Sequence, residues 1–204
     1  MSPQRKIRVA VLVSGGGTNL QAILDAAKRG ELPSAEIALV VSNKAGAYAL
    51  ERAARAGVPA LTITKQDCGS QEAFESAVLA ALEANGIEVI VLAGFLAILS
   101  ERFTARYPRR ILNVHPSLIP AFCGAGFYGL KVHEAALARG VKVTGATVHF
   151  VNEIPDGGAI IAQKAVPVLE GDTPEVLQRR VMEEAEWQLL PAAVETVCAE
   201  LLRQ

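Results

Sequence analysis

Aromatic residues make up only 5% of this 204-residue chain, although hydrophobic residues make up 51%. A core must therefore be built from Ala, Val, Leu and Ile. Neither sign of charge is in excess: 20 basic and 21 acidic residues leave a net charge of −1. No broad basic field points to nucleic acid or an anionic membrane as partner. Cysteine is scarce, and Cys68, Cys123 and Cys198 are widely spaced. That pattern fits neither a disulfide framework nor a zinc site and suits three reduced thiols. No apolar run reaches the ~18 residues of a membrane span, and the N-terminal stretch has no apolar segment ahead of a cleavage pattern. A cytoplasmic protein is expected. Ser/Gly-rich linkers, internal repeats and low-complexity tracts are also missing. The length suits one sizeable core, so a single domain over residues 1–204 is expected.

What is present is a regular alternation. Residues 7–13 form a mostly β-branched run, and Ser14-Gly15-Gly16-Gly17-Thr18-Asn19 follows at once. Leu20, Ile23, Leu24 and Ala27 then fall on one helical face that ends at Gly30. Further strands are predicted over 37–42, 60–64, 89–95, 111–115, 143–151 and 159–165, with helices over 47–56, 70–85 and 131–139. A long C-terminal helix starts from the Thr173-Pro174 cap, runs through Val181, Ala185 and Leu189, and bends at Pro191. This rhythm predicts an α/β fold: a doubly wound, mostly parallel, Rossmann-like sheet with helices on both faces.

Chemistry concentrates in a few places. A strand, a glycine turn and a helix together point free backbone N–H groups at an anion. A dinucleotide fingerprint would need a third glycine where Leu20 stands, and an acid after the second strand, where the chain reads Val41-Ser42-Asn43-Lys44. A plain turn and a site for a single phosphate both remain, and the phosphate site is favoured. The run Ile111-Leu112-Asn113-Val114-His115 ends at Pro116 and Pro120, so Asn113 and His115 share one strand face at the mouth of the sheet. An amide donor beside an imidazole suits a reaction in which an oxyanion forms and a proton moves. Asp156, before Gly157-Gly158, reads by itself as turn chemistry. His149, on a strand with Thr147, reads as a satisfied buried histidine, and His133, beside Glu134, as a solvated or helix-face contact. The loop 121–129 could cover a ligand or merely connect.

Six segments stand in order across nearly the whole chain: Ser14-Gly15-Gly16-Gly17-Thr18-Asn19-Leu20-Gln21, Ser42-Asn43-Lys44, Leu92-Ala93-Gly94-Phe95, Asn113-Val114-His115-Pro116-Ser117-Leu118, Val148-His149-Phe150 and Asp156-Gly157-Gly158. In this the chain closely resembles the phosphoribosylglycinamide (GAR) formyltransferases, folate-dependent enzymes of purine biosynthesis. The resemblance implies formyl transfer from the co-substrate 10-formyltetrahydrofolate to the amine of GAR, without a metal. It implies that Asn113, His115 and Asp156 are catalytic. Gly17, Thr18 and Asn19 would hold the substrate phosphate with Gly94 close by, Leu20 and Gln21 would also bind GAR, and Glu186 would contact the ribose. Gln71, Leu96, Ala97, Ile98, Leu99, Asn113 and Glu153 would line the folate side, largely through backbone groups of 96–99 and 152–156. Residues 1–100 would form the phosphate-binding half and 101–204 the catalytic and folate-binding half.

Small-molecule substrates, no nucleic acid, no membrane, and a monomer or homodimer follow as expectations. The chain also departs from the family pattern. Ala97 and Gln71 stand where arginines are common, Cys123 where a proline is, and Trp187 where a histidine is; the helix 179–187 reads as one residue longer. A protonated His115, favoured by a nearby Asp156, is expected to donate to the tetrahedral oxyanion. The alternatives are a 10-formyltetrahydrofolate hydrolase, a methionyl-tRNA formyltransferase, a serine hydrolase built on Ser117, and a phosphate-ligand sensor without turnover.

Overall fold

The structure is a computed structural model that describes residues 5–204. The unit expected over 1–204 thus includes positions 1–4, which lie outside the described residues. The elements in chain order are β1 (Ile7–Val13), α1 (Thr18–Lys28), β2 (Ala35–Ser42), α2 (Tyr48–Arg55), β3 (Ala60–Thr62), α3 (Lys65–Cys68), α4 (Gln71–Ala84), β4 (Val89–Leu92), α5 (Glu101–Thr104), β5 (Ile111–His115), α6 (Leu130–Arg139), β6 (Val143–Phe150), β7 (Ile160–Pro167), α7 (Pro174–Val181) and α8 (Trp187–Leu201). One seven-stranded sheet runs in the order β3-β2-β1-β4-β5-β6-β7. β1 to β5 pair in parallel, and β6 and β7 extend the sheet antiparallel. The expected doubly wound, mostly parallel sheet is what forms.

Strand periodicity divides the core into two layers. Val9, Val11 and Val13 of β1 join Leu20 and Ile23 of α1 and Val194 of α8 on one face. Ala10 and Leu12 meet Phe74, Val78 and Leu82 of α4 and Phe103 of α5 on the other. Each fully buried Leu, Val or Phe among them contributes about 1.5–3 kcal/mol. With both faces covered, β1 reads as a nearly unbroken apolar run. Among the described residues no helix is long and apolar enough to cross a membrane.

Several boundaries differ from the sequence reading, each for a local reason. The fourth strand stops at Leu92 rather than residue 95, because Gly94 (φ +69°) turns the chain out of the sheet. The third stops at Thr62, because the Thr64 side chain caps α3 by accepting from the Asp67 N–H at 3.1 Å. Ser100 caps α5 in the same way. The irregularity of the C-terminal helix is not at Pro191, which lies buried within α8. It is a π-helical turn, Met182–Glu186, between α7 and α8. Such a turn closes its hydrogen bonds one residue further along than an α-helical turn does.

Gly145, near the start of β6, answers to a close approach. A Cβ there would overlap the Lys164 carbonyl oxygen of β7 and come within 2.9 Å of Leu118 Cδ2. Gly145→Ala is expected to cost about 1–3 kcal/mol, the usual range for overpacking. A thermal melt checks this; a midpoint equal to that of the wild type would contradict the tight β6–β7 packing.

β1 has β2 on one side and β4 on the other, so the direction of winding reverses between β1 and β4. Ligands of open α/β sheets bind beyond the strand C-termini at such a point.

Candidate active site

At that end of the sheet lies a cavity of about 720 Å³, within the size range of small-molecule sites. Of the residues expected to bind or react, Asn19, Gly94, Leu96, Ala97, Ile98, Asn113, His115, Asp156 and Glu186 line it. The others do not. Leu20 and Leu99 are buried in the two core layers, so only their backbones could face a ligand. Gly17 sits against Ala49 of α2. Thr18 and Gln21 border a separate hollow of about 320 Å³ with Arg52 and Trp187. Gln71 is engaged by Glu75 (2.8 Å) and the Ile98 carbonyl (3.1 Å), and Glu153 is exposed in the turn before Asp156.

α1 begins without a side-chain cap, at Gly17 with φ +72°. α4 and α7, by contrast, start on the Ser70 and Thr173 hydroxyls. Gln21 is the first residue of α1 whose N–H bonds within the helix, to Gly17 O at 2.9 Å. The N–H groups before it are the orphan donors of a helix start, where an anion binds.

On β5, Asn113 and His115 lie two residues apart and both reach the cavity. His115 Nε2 is 2.8 Å from the Phe122 carbonyl and can bond it only by carrying the proton. Its Nδ1 therefore holds a lone pair, 3.4 Å from Asp156 Oδ2. His149 is fixed likewise: Nδ1–H donates to Phe150 O at 2.8 Å, which leaves Nε2 to accept from Asn113 Nδ2 at 3.2 Å. That bond orients the Asn113 amide and leaves its second N–H free. His149 Nε2 is also 3.4 Å from Asp156 Oδ1. His149 is thus buried and satisfied, as expected, and it also belongs to the reacting cluster, which was not expected. Asp156, at φ +56°, does occupy a turn, yet its carboxylate sits between two imidazoles.

The electrostatics correct one expectation. Burial lowers the His115 pKa below the ordinary imidazole value, and the Phe122 carbonyl and Asp156 pull it upward without overcoming that. His115 is therefore neutral at neutral pH, with a proton-accepting Nδ1, rather than the expected imidazolium. For Asp156, burial pushes upward, but the His149 ring nitrogen, the Gly124 amide (2.8 Å) and the nearness of both imidazoles together hold it below the usual carboxylate value. The cluster is an ionised carboxylate with an imidazole 3.4 Å away on either side, and His115 Nδ1 is placed to take up a proton.

The 121–129 loop is no mere connection. Its Phe122 carbonyl fixes His115, its Gly124 amide holds Asp156, and Gly124 to Gly129 form one wall of the cavity. From the other side, the π-helical turn aims Glu186 inward, where Oε2 accepts from Asn19 Nδ2 at 2.7 Å. Burial pushes the Glu186 carboxyl up, and the Asn19 amide only partly offsets it. Gln178 of α7 and Met182 of the π turn join this wall, and no sequence pattern marked them.

Of the two readings for His133, a helix-face contact holds and a solvated ring does not. His133 is 0% exposed, lines the cavity, and neither ring nitrogen has a partner. Ala136, three residues on and buried on the same helix face, was the available signal. Burial, with His115 nearby, pushes its pKa down to about 4. The unfolded chain therefore binds the extra proton between about pH 6.5 and 4, and stability falls as pH drops through that window, by up to about 3 kcal/mol. His133→Leu is expected to flatten this loss in melts taken from pH 7 to 4; parallel curves for the two proteins would contradict it.

Residues 7–194 match the formyl transferase family. The chain is 50% identical to the chicken (Gallus gallus) trifunctional purine biosynthetic protein adenosine-3 over 95% of its own length, but spans only 19% of that protein. It is 41% identical to the phosphoribosylglycinamide formyltransferase of Haemophilus influenzae, over 92% of this chain and 85% of that one. A crystal structure of glycinamide ribonucleotide transformylase 1 from Symbiobacterium toebii superposes with a TM-score of 0.90 at 45% identity, covering 98% of this chain and 94% of that one.

Proposed function

The chain belongs to the phosphoribosylglycinamide formyltransferases of the formyl transferase family, and on that premise we propose that it transfers the formyl group of 10-formyltetrahydrofolate to the amine of GAR. The observation that supports this best is the convergence of Asn113, His115 and Asp156 on one cavity that also meets the uncapped start of α1.

In this reading the GAR amine attacks the formyl carbon, and the carbonyl oxygen becomes an oxyanion. The free N–H of Asn113 donates to it. The nitrogen that has attacked is now positively charged and loses a proton to His115 Nδ1, directly or through one water. The ionised Asp156 stabilises the imidazolium so formed. The same proton then goes to the departing folate nitrogen as its bond to the formyl carbon breaks, so no enzyme group is acylated and the charges balance. The orphan N–H groups of α1 hold the substrate phosphate, Glu186 the ribose, and the strip 96–99 the pteridine. Residues 1–100 and 101–204 act as phosphate-binding and catalytic halves of one unit, which works in the cytoplasm as a monomer or homodimer, with small molecules as its partners.

A spectrophotometric assay with both substrates and a control lacking GAR tests the reading. GAR-dependent deformylation of the folate is the expected result. Equal deformylation without GAR would identify a hydrolase, and binding without turnover a sensor.

A further inference from the structure

The glycine turn before α1 is held from behind by α2. Ala49 N–H donates to Gly15 O at 3.1 Å. Arg52 Nε donates to Gly16 O at 2.8 Å, and its Nη1 to Gln21 Oε1 at 3.0 Å. A trans peptide directs its C=O and the following N–H oppositely. Drawing the Gly15 and Gly16 carbonyls toward α2 therefore turns the Gly16 and Gly17 N–H groups away from it. Gly17 lies flush on this support, since a Cβ there would come 2.6 Å from Ala49 Cβ.

Arg52 differs from its neighbours in how its charge is used. Arg55, on the same helix, pairs with Glu51 at 3.2 Å, and Arg29 pairs with Glu31 at 2.6 Å. Among the described residues Arg52 has no carboxylate partner. Its guanidinium lies 4.9 Å from the centroid of the Tyr48 ring. Its charge therefore strengthens the bond to the Gly16 carbonyl and leaves a net positive field at an anion-binding helix start.

From this juxtaposition, and resting on the transferase reading above, we infer that Arg52 is the positioning residue of the substrate-phosphate cradle: it grips the glycine turn at Gly16 and Gln21 so that the turn's N–H groups face the phosphate. It need not touch the substrate. Without the grip the Gly16–Gly17 peptide is free to rotate, and GAR binding suffers while the distant folate side does not.

The test compares Arg52→Met, Arg52→Lys and, as a control, Arg55→Met. Arg52→Met is expected to raise KM for GAR about ten- to a hundredfold, the worth of one charge-assisted hydrogen bond. It should weaken competitive inhibition by inorganic phosphate in parallel and leave kcat and the folate KM within about twofold. Amide hydrogen exchange over residues 14–20 should quicken in the same variant. Arg52→Lys keeps the charge but loses the two-point grip, and should fall between wild type and Met; Arg55→Met should match wild type. An Arg52→Met with unchanged GAR KM and phosphate inhibition overturns the inference, as does an equal rise in both substrates' KM. Should Arg52→Met fail to fold, an Arg52→Lys enzyme with wild-type GAR KM overturns it as well. A wild-type enzyme without GAR turnover would instead sink the functional reading and this inference with it.

Discussion

Asn113→Ala is expected to lower kcat about 10²–10³-fold, roughly 3–4 kcal/mol, while KM for either substrate changes little. The amide's free N–H meets the carbonyl oxygen most strongly when that oxygen carries full negative charge, so its loss falls on the transition state. Its other N–H is already committed to His149 Nε2 at 3.2 Å, which holds the side chain in place before substrate arrives. His115→Ala should fall at least as far, since it removes the proton acceptor. Steady-state kinetics at saturating folate separates kcat from KM. Turnover near that of the wild type in either variant would remove that residue from the mechanism.

Asp156→Asn is expected to cost about 10²–10⁴-fold in kcat, the range for proton-transfer catalysis, and to move the acid limb of the pH–rate profile. The sign follows from the forces on His115. Burial lowers its pKa and Asp156 raises it, so activity, which needs neutral His115, rises with pH through a limb below ~6.5, the ordinary imidazole value. Removing the negative charge removes an upward pull, and the limb of the variant should lie at still lower pH. Asparagine keeps an oxygen able to accept from the Gly124 amide, which the carboxylate now holds at 2.8 Å, so the 121–129 wall should survive. A limb that stays in place or shifts to higher pH would show that Asp156 serves only its turn.

Much of the fold was legible because its signals are local. β1 alternates strictly between two layers, Ser70 and Thr173 announce helix starts, and Gly30, Gly57 and Gly86 follow helix ends. What escaped depends on neighbours. The order of strands and the antiparallel turn at β6 are set by crossovers that no short window contains. The π-helical turn has no residue signature of its own, yet both its ends, Met182 and Glu186, face the cavity. The site divides in the same way. Asn113 and His115 could be paired from strand spacing, but Asp156 read by itself as a turn and came to the site only through the family resemblance. His149 read as buried but not as a neighbour of Asp156, and the full burial of His133 beside the cavity went unread, because both are tertiary properties. The protonation of His115 was misjudged for the same reason. The sequence places an attractive carboxylate near it, while the desolvation that outweighs that carboxylate exists only in the folded chain.

The most direct test follows the carbon itself. 10-Formyltetrahydrofolate labelled with ¹³C in its formyl group is mixed with GAR and enzyme, and the products are read by NMR. The label should leave the folate and appear as a formamide on the GAR nitrogen, at a rate that Asn113→Ala and Asp156→Asn both suppress. Label collecting as free formate, or transfer that continues at full speed in those variants, would contradict the account.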